Sequence, residues 1–505
     1  MPKLPKCPAG SNPGDPNRVW VKTSILNMWD SRDVRVPAPK PEDRVSIMEN
    51  LLPKIIEIAQ ELLAEEAESP PVGRVTVPEM EQRLDIRLGH EGIPAHEVME
   101  RMRQVGKLTP KTSSSRFFNQ LFAGRQPMAS AAEMLTGMWN VSMYTYKVAG
   151  PMILIENEVL ERMCQTAGFP DGFGIVVPGG SMANLVGMVL GRHKAMPNMR
   201  NEGSDGRRLT YYVSELGHYS TVKNAGILGT GRNNVRRIPV DELGRMRTAD
   251  LRAALVNDLA EGHVPCAIIA TMGTTVLGEF DPLREISAVA REFDVWLHAD
   301  GAYGGTMLLH PEARKHLDGL ELADSLTWNA HKAMGIPLTC SALLTRERHA
   351  VRDILNEDAE YLYQADDDLL NPGTRSLQCG RRNDTFKLWA AWLNLGDEGW
   401  AKYIERQLHL ARYAAARVKA EPNMELCQEP ASTNICFSVQ DLDADEACTE
   451  LHESGHALVG YGNVRGQEVF RLVTVNPEIQ ESDLDRLFDA ILEQRTRASA
   501  PRPLS

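Results

Sequence analysis

Between residues 174 and 344 short apolar runs alternate with stretches of helical periodicity, and that alternation leaves few architectures open. The runs are Gly174–Val177, Tyr211–Ser214, Ala267–Ala270, Val295–His298, Ser325–Trp328 and Ser341–Leu344. Runs this short and this apolar read as strands buried on both faces. Helix-like segments lie between several of them, over 182–194, 248–261 and 283–293. Strands separated by helices pair through crossovers, so the pattern predicts an α/β domain with a mostly parallel sheet. Ligands of such a sheet gather at the carboxyl ends of its strands. The polar residues just past these runs are therefore the candidates for chemistry.

The rest of the chain divides around this core. Residues 1–40 are rich in Pro and polar residues and read as a flexible arm. From Glu42 to Glu66 apolar residues, among them Val45, Met48, Leu51, Leu52, Ile55 and Leu62, recur at helical spacing, and Pro53 is placed to kink or divide the helix. The expected domains are a helical segment over 41–115, a large α/β domain over 116–385 and a small α+β domain over 386–505. The last opens with a helical stretch through 386–420 and has strands near 434–439 and 469–475.

A formal net charge of −13 over 505 residues argues against nucleic acid as a partner, because phosphate contacts need a basic face. It does not exclude an acidic substrate, since one Arg at contact range outweighs the global field. The eight cysteines contain no Cys-x-x-Cys pair and are too sparse for a disulfide scaffold, so a reducing cytoplasm is the expected setting. Neither an N-terminal leader nor a membrane span is expected, because residues 1–20 lack an apolar core and no apolar run reaches about 18 residues.

Four stretches carry the chemistry. In Thr327-Trp328-Asn329-Ala330-His331-Lys332 a strand delivers a lysine just past its end. A lysine that is to attack an aldehyde must be fixed in place and held neutral. In His298-Ala299-Asp300-Gly301-Ala302-Tyr303 an acid sits at a strand end among small residues, where it can pair with a protonated ring nitrogen. Pro178-Gly179-Gly180-Ser181-Met182 lies at a strand-to-helix junction, where main-chain N–H groups and the helix dipole hold phosphate, although the spacing is not that of a Walker A loop. In Ser214-Glu215-Leu216-Gly217-His218 a histidine after a strand can stack on a ring. Each has an ordinary structural reading by itself, as surface charge, turn cap, plain turn or packed histidine. Their order along the chain gives them weight.

Together with Phe117–Leu121, Gly273-Thr274-Thr275, Phe280–Leu283, Leu377–Arg381 and Phe470-Arg471, these stretches resemble the group II decarboxylases that use pyridoxal 5′-phosphate (PLP), within the glutamate, cysteine sulfinate and aspartate branch. The resemblance runs over roughly residues 45 to 490. It implies the fold type I of PLP-dependent transferases (aspartate aminotransferase-like) and a PLP-dependent carboxy-lyase acting as a homodimer, with the 41–115 segment dimer-forming. It also implies roles. Lys332 would hold the cofactor covalently and Asp300 would pair with its ring nitrogen. His218 and Ala302 would pack on opposite ring faces. Thr271 would lie near the phenolic edge, and Ser181, Met182, Asn329 and His331 would hold the phosphate. Tyr361 would return a proton to the substrate carbon from a mobile loop, and Arg471 would contact a substrate carboxylate.

The substrate side is expected to involve Gln120, Phe122, Ser142 and Tyr144 as well as Arg471. Phe122, Ser142 and Tyr144 resemble the cysteine sulfinate and aspartate enzymes more than the glutamate enzymes. The bulk of Phe122 and Tyr144 would shorten the pocket, although one methylene discriminates by only about 1–3 kcal/mol. Cysteine sulfinate or aspartate is therefore placed ahead of glutamate. Lys147, Gly150 and the Asp366–Asp368 run depart from the branch pattern and keep a β-substituted aspartate as an alternative. A fold type I aminotransferase would share Lys332 and Asp300 but not Tyr361. A zinc hydrolase reading of His452-Glu453-Ser454-Gly455-His456 is disfavoured because Gly455 ends helices, so no metal is expected. A non-catalytic binding protein derived from the family would be expected to lack Lys332 or Asp300.

Overall fold

The runs between 174 and 344 join one seven-stranded sheet. The computed structural model describes residues 41–68, 71, 75–357, 368–476 and 478–499. Its first seven strands are β1 (Phe173–Val177), β2 (Leu209–Ser214), β3 (Val235–Ile238), β4 (Val264–Thr271), β5 (Trp296–Gly301), β6 (Ser325–Asn329) and β7 (Ser341–Thr345). Their order in the sheet is β1-β7-β6-β5-β4-β2-β3. From β6 to β3 every pairing is parallel, and β7 runs antiparallel to both neighbours. Strands β1, β2, β5, β6 and β7 are buried at every position, which is why their sequences are nearly continuous apolar runs. The edge strand β3, Val-Arg-Arg-Ile, has two arginines at its centre and no apolar run, so it was not legible in the same way.

Among the helices are α1 (Pro41–Glu68), α2 (Pro127–Trp139), α3 (Pro151–Ala167), α4 (Gly180–Ala195) and α5 (Thr385–Ala420). The chain clusters into two units, Met1–Glu61 and Leu62–Ser505. In the first, α1 continues through Pro53 without being divided. Both sheets belong to the second. The helical stretch expected over 386–420 corresponds to α5, but Gly396 has φ +62° and joins two helices at a kink. The arm expected over 1–40 and the loop residue Tyr361 lie outside the described residues. Among the described residues no helix is long and apolar enough to cross a membrane.

A second sheet contains β8 (Met424–Leu426), β9 (Asn434–Val439), β10 (Gly460–Val464) and β11 (Gln467–Val473), ordered β10-β11-β9-β8 and antiparallel throughout. Stacked rings of Phe437 and Phe470, 5.1 Å apart, anchor its apolar face.

One buried ion pair ties the peptide around Ser142 to the start of α5. Glu156 on α3 accepts two hydrogen bonds of 2.7 Å from Arg381, and both side chains are almost fully enclosed. Arg381 also donates to the Met143 carbonyl at 3.1 Å, and the Met143 N–H returns a bond to the Arg381 carbonyl at 2.7 Å. Removing one partner strands a buried charge, whereas removing both does not. Glu156→Ala is expected to cost about 3–5 kcal/mol of stability. The Glu156→Leu/Arg381→Met pair should recover most of it. Calorimetric unfolding of the three proteins checks this.

Candidate active site

A cavity of about 230 Å³ opens at the carboxyl edge of the large sheet. It is there because parallel strands all deliver their last residues to one edge. Thr271 is the last residue of β4, Asp300 lies near the end of β5, and Asn329 ends β6 three residues before Lys332. Between β1 and α4, Gly180 and Ser181 open the helix at the same edge, and His218 follows β2. The structure thus brings Ser181, His218, Thr271, Asp300, Ala302, Asn329, His331 and Lys332 around one cavity. Asp300 lies inside the strand rather than in the turn after it.

Met182 stands apart from this group. Its side chain packs on the apolar layer between α4 and the sheet, and its N–H bonds the Gly179 carbonyl at 3.0 Å. Of the residues expected on the substrate side, Gln120 is exposed, Phe122 is half-buried, Ser142 accepts the Arg381 N–H at 3.4 Å, and the Tyr144 ring packs on Gly373. None of these four lines the cavity within one chain. Arg471 on β11 comes closer. Its Nε donates to the Thr275 carbonyl at 2.8 Å and its Nη1 to the Asn119 carbonyl at 2.7 Å. Thr275 is part of the cavity wall, and the Arg471 charge acts on Lys332.

The electrostatics suit a neutral amine beside a carboxylate. Burial holds the Lys332 amine below its ordinary value, against the opposing pull of Asp300 and with a contribution from Arg471. Asp300 is 5% exposed and accepts from Asn184 Nδ2 at 2.7 Å and from the Ala302 N–H at 3.2 Å, one bond to each oxygen. His218 Nδ1 accepts the Ser220 N–H at 3.2 Å, so the neutral ring carries its proton on Nε2. Burial pushes His331 down to about 4 and lowers His218 as well. Below the cavity floor Asp281 accepts the N–H groups of Thr271 and Met246, both at 2.7 Å, and fixes the end of β4.

Two observations bear on what the cavity can hold. Thr271 Oγ1 and Asn329 Oδ1 are buried without a hydrogen-bond partner, which is rare unless a bound group supplies one. A Cβ at Gly180 would lie 2.6 Å from the Asn329 amide and 3.2 Å from Ala302, so glycine keeps the mouth of the cradle open. A flat ring with a phenolic oxygen would meet the Thr271 hydroxyl, and a phosphate would sit against the donors of the cradle. Ser181, Asn329, His331 and the first turn of α4 carry donors that would suit the anion.

Sequence reasoning gave no role to Asn184, Tyr219, Gly273, Thr275 and Tyr303, all on the cavity wall. Asn184 had a signal, as a polar residue three positions after Ser181 on the buried face of an apolar helix. The zinc motif does not assemble. The helix carrying His452 ends at Glu453, Gly455 has φ +73°, and His456 bonds Ser454 Oγ at 2.9 Å. Among the described residues the one group with metal-ligand spacing is Asp258, Glu261 and His263, and there Asp258 is already taken by Arg236 and Tyr212.

Known proteins resemble this chain along most of its length. The pyridoxal-dependent decarboxylase conserved domain matches residues 78–440. Cysteine sulfinic acid decarboxylase of Mus musculus is 36% identical over 433 residues, 81% of this chain and 88% of its own. Acidic amino acid decarboxylase GADL1 of Bos taurus is 34% identical over 503 residues, 95% of each chain. The crystal structure of mouse CSAD superposes with a TM-score of 0.84 at 34% identity, over 89% of this chain and 98% of that one.

Three buried groups give the site a pH signature. Burial pushes His298 and His331 from an ordinary 6.5 down to about 4, and pushes Asp281 from 3.8 up to about 7. Each histidine stays neutral in the fold but takes a proton once unfolded. Its stabilisation is therefore full above 6.5 and lost as pH falls toward 4. Asp281 has the opposite sign and gains a proton in the fold over a similar window. Two histidines outweigh one aspartate, so the melting temperature should fall as pH drops below 6.5. His298→Gln should flatten that fall, as read by calorimetry from about pH 8 to about pH 4.

Proposed function

The chain belongs to the pyridoxal-dependent decarboxylase family, and from that premise we propose that it removes the α-carboxylate of a small acidic amino acid, cysteine sulfinate or aspartate ahead of glutamate. The observation that carries this reading is Arg471, a guanidinium held by two main-chain carbonyls beside the cavity wall. A fixed cation there suits a second carboxylate or a sulfinate and has no use for an aromatic side chain. The relatives named for cysteine sulfinic acid and acidic amino acids support the same choice.

PLP, when bound, supplies the electron sink for the pair left on the α-carbon as carbon dioxide departs. In our reading Lys332 is the attachment point, and its burial favours the neutral amine that attachment needs. Asp300 would pair with the ring nitrogen of the bound cofactor. His218 and Ala302 would pack on its two faces. Thr271 would address the phenolic oxygen, while Ser181, the α4 N-terminus, Asn329 and His331 would hold the phosphate. Met182 has no part in this beyond shaping the first turn of α4. Arg471 orients the distal acid of the substrate, and Gln120, Phe122, Ser142 and Tyr144 are assigned to its remaining contacts. Tyr361 is assigned the delivery of a proton to the α-carbon.

We place the enzyme in the cytoplasm as a homodimer. The seven described cysteines are free, in keeping with a reducing compartment. Helix α2 presents Met128, Leu135, Met134 and Met138 at helical spacing, each 42–55% exposed, an apolar stripe that a second copy would cover.

Borohydride reduction of the holoenzyme followed by peptide mapping is expected to place the cofactor on Lys332, and an adduct on any other lysine would overturn the assignment. Carbon dioxide release should favour cysteine sulfinate or aspartate over glutamate by about ten- to two-hundredfold, the discrimination one methylene allows. Light scattering should give twice 56.1 kDa, and Met134→Glu with Met138→Glu should return the monomer.

A further inference from the structure

Behind Asp300 a file of hydrogen bonds runs through the layer between α4 and the sheet. Trp296 Nε1 donates to Ser325 Oγ at 2.9 Å. Ser325 Oγ lies 2.8 Å from His298 Nδ1. His298 Nε2 is 3.1 Å from Asn184 Oδ1, and Thr327 Oγ1 donates to the same oxygen at 2.7 Å. Asn184 Nδ2 then donates to Asp300 Oδ2 at 2.7 Å. His298, Ser325 and Thr327 are fully enclosed and Asn184 is 1% exposed, so water does not compete.

The direction of this file follows from its ends. An indole N–H can only donate, and a carboxylate can only accept. Ser325 accepts from Trp296, and His298 Nδ1 at 2.8 Å is the side-chain acceptor that faces its own proton. That leaves His298 with its proton on Nε2, which faces Asn184 Oδ1 and Thr327 Oγ1, each at 3.1 Å. With its oxygen so engaged, Asn184 has one orientation, amide nitrogen toward Asp300. The depressed pKa of His298 agrees with a neutral ring in this role. The close approach of helix and strand depends on Gly187, where a Cβ would lie 2.6 Å from His298 Nδ1.

We propose that Asn184 is a positioning residue for Asp300, locked by a one-way hydrogen-bond file that begins at the Trp296 indole and ends on the carboxylate. The file holds the Asp300 side chain aimed into the cavity without touching substrate. This inference rests on the assignment of Asp300 to the ring nitrogen. A donor fixed on one carboxyl oxygen leaves the other turned to the cavity, which suits a partner of the ring nitrogen.

The test compares holoenzymes by cofactor release during dialysis and by the absorbance spectrum of the bound cofactor. Asn184→Leu keeps the shape and removes the amide. It is expected to speed release at least tenfold, shift the absorbance to shorter wavelength, and lower kcat by a similar factor while KM changes little. Thr327→Val should move the same readouts in the same direction by a smaller factor, and Thr327→Ser should restore them. If Asn184→Leu and Thr327→Val lower the melting temperature but leave release and spectrum as in the wild type, the file is only structural and the proposal fails. If Asp300→Asn itself leaves release and spectrum unchanged, the assignment of Asp300 fails first, and the two failures are told apart.

Discussion

Placing a carboxylate and an amine in one small buried cavity is the constraint on which this structure turns. Alone, either group would be driven toward its neutral form by the cost of desolvation. Here burial wins at Lys332, whose amine is held below its ordinary value despite the neighbouring Asp300. At Asp300 the hydrogen bonds from Asn184 and the Ala302 N–H stand in for water. A parallel sheet is well suited to this division. It delivers β4, β5 and β6 side by side, so one strand end supplies the acid, the next brings the lysine and a third the threonine, at spacings set by the sheet rather than by loops.

The same constraint explains what could be read from the sequence. Strands buried on both faces must be apolar throughout, so β1, β2 and β4 to β7 were visible as runs, and the polar residues at their ends were visible as candidates. The edge strand β3 and the short β8 and β10 escaped because partners rather than periodicity make them strands: Arg236 and Arg237 interrupt one, and Gly460 and Gly462 another. Asn184 escaped for a different reason. Its importance lies in a hydrogen bond across 116 positions of sequence, and nothing local to Asn184 specifies that partner. The side chain of Met182 shows the converse. Its position next to Ser181 in a phosphate-binding type of turn attracted a role, whereas helical geometry turns it to the apolar layer.

The small sheet earns its place through Arg471. That residue lies on β11, opposite Cys436 of β9, yet both of its fixed bonds leave the sheet, one to Asn119 in the segment before α2 and one to Thr275 beyond β4. A parallel tie joins Tyr303, just past β5, to Thr433, just before β9, with the Thr433 N–H donating to the phenol oxygen at 3.1 Å. The guanidinium is thus set by three separate stretches of chain and has little freedom to follow a substrate.

A cation fixed in this way makes specificity a matter of length. If Arg471 does not move, the distance from it to Lys332 is a property of how the second sheet docks on the first, and the acid that spans that distance is selected by packing far from either residue. The residues read from sequence as shortening the pocket, Phe122 and Tyr144, would then act as fillers around a span already defined. Tyr144 is itself positioned by the Gly373 contact and lies next to Met143, which the Glu156–Arg381 pair holds. On the proposed role of Arg471, substrate choice would be distributed. It would reside in the buried ties that hold Arg471 to Asn119 and Thr275, as much as in the side chains that would touch the acid.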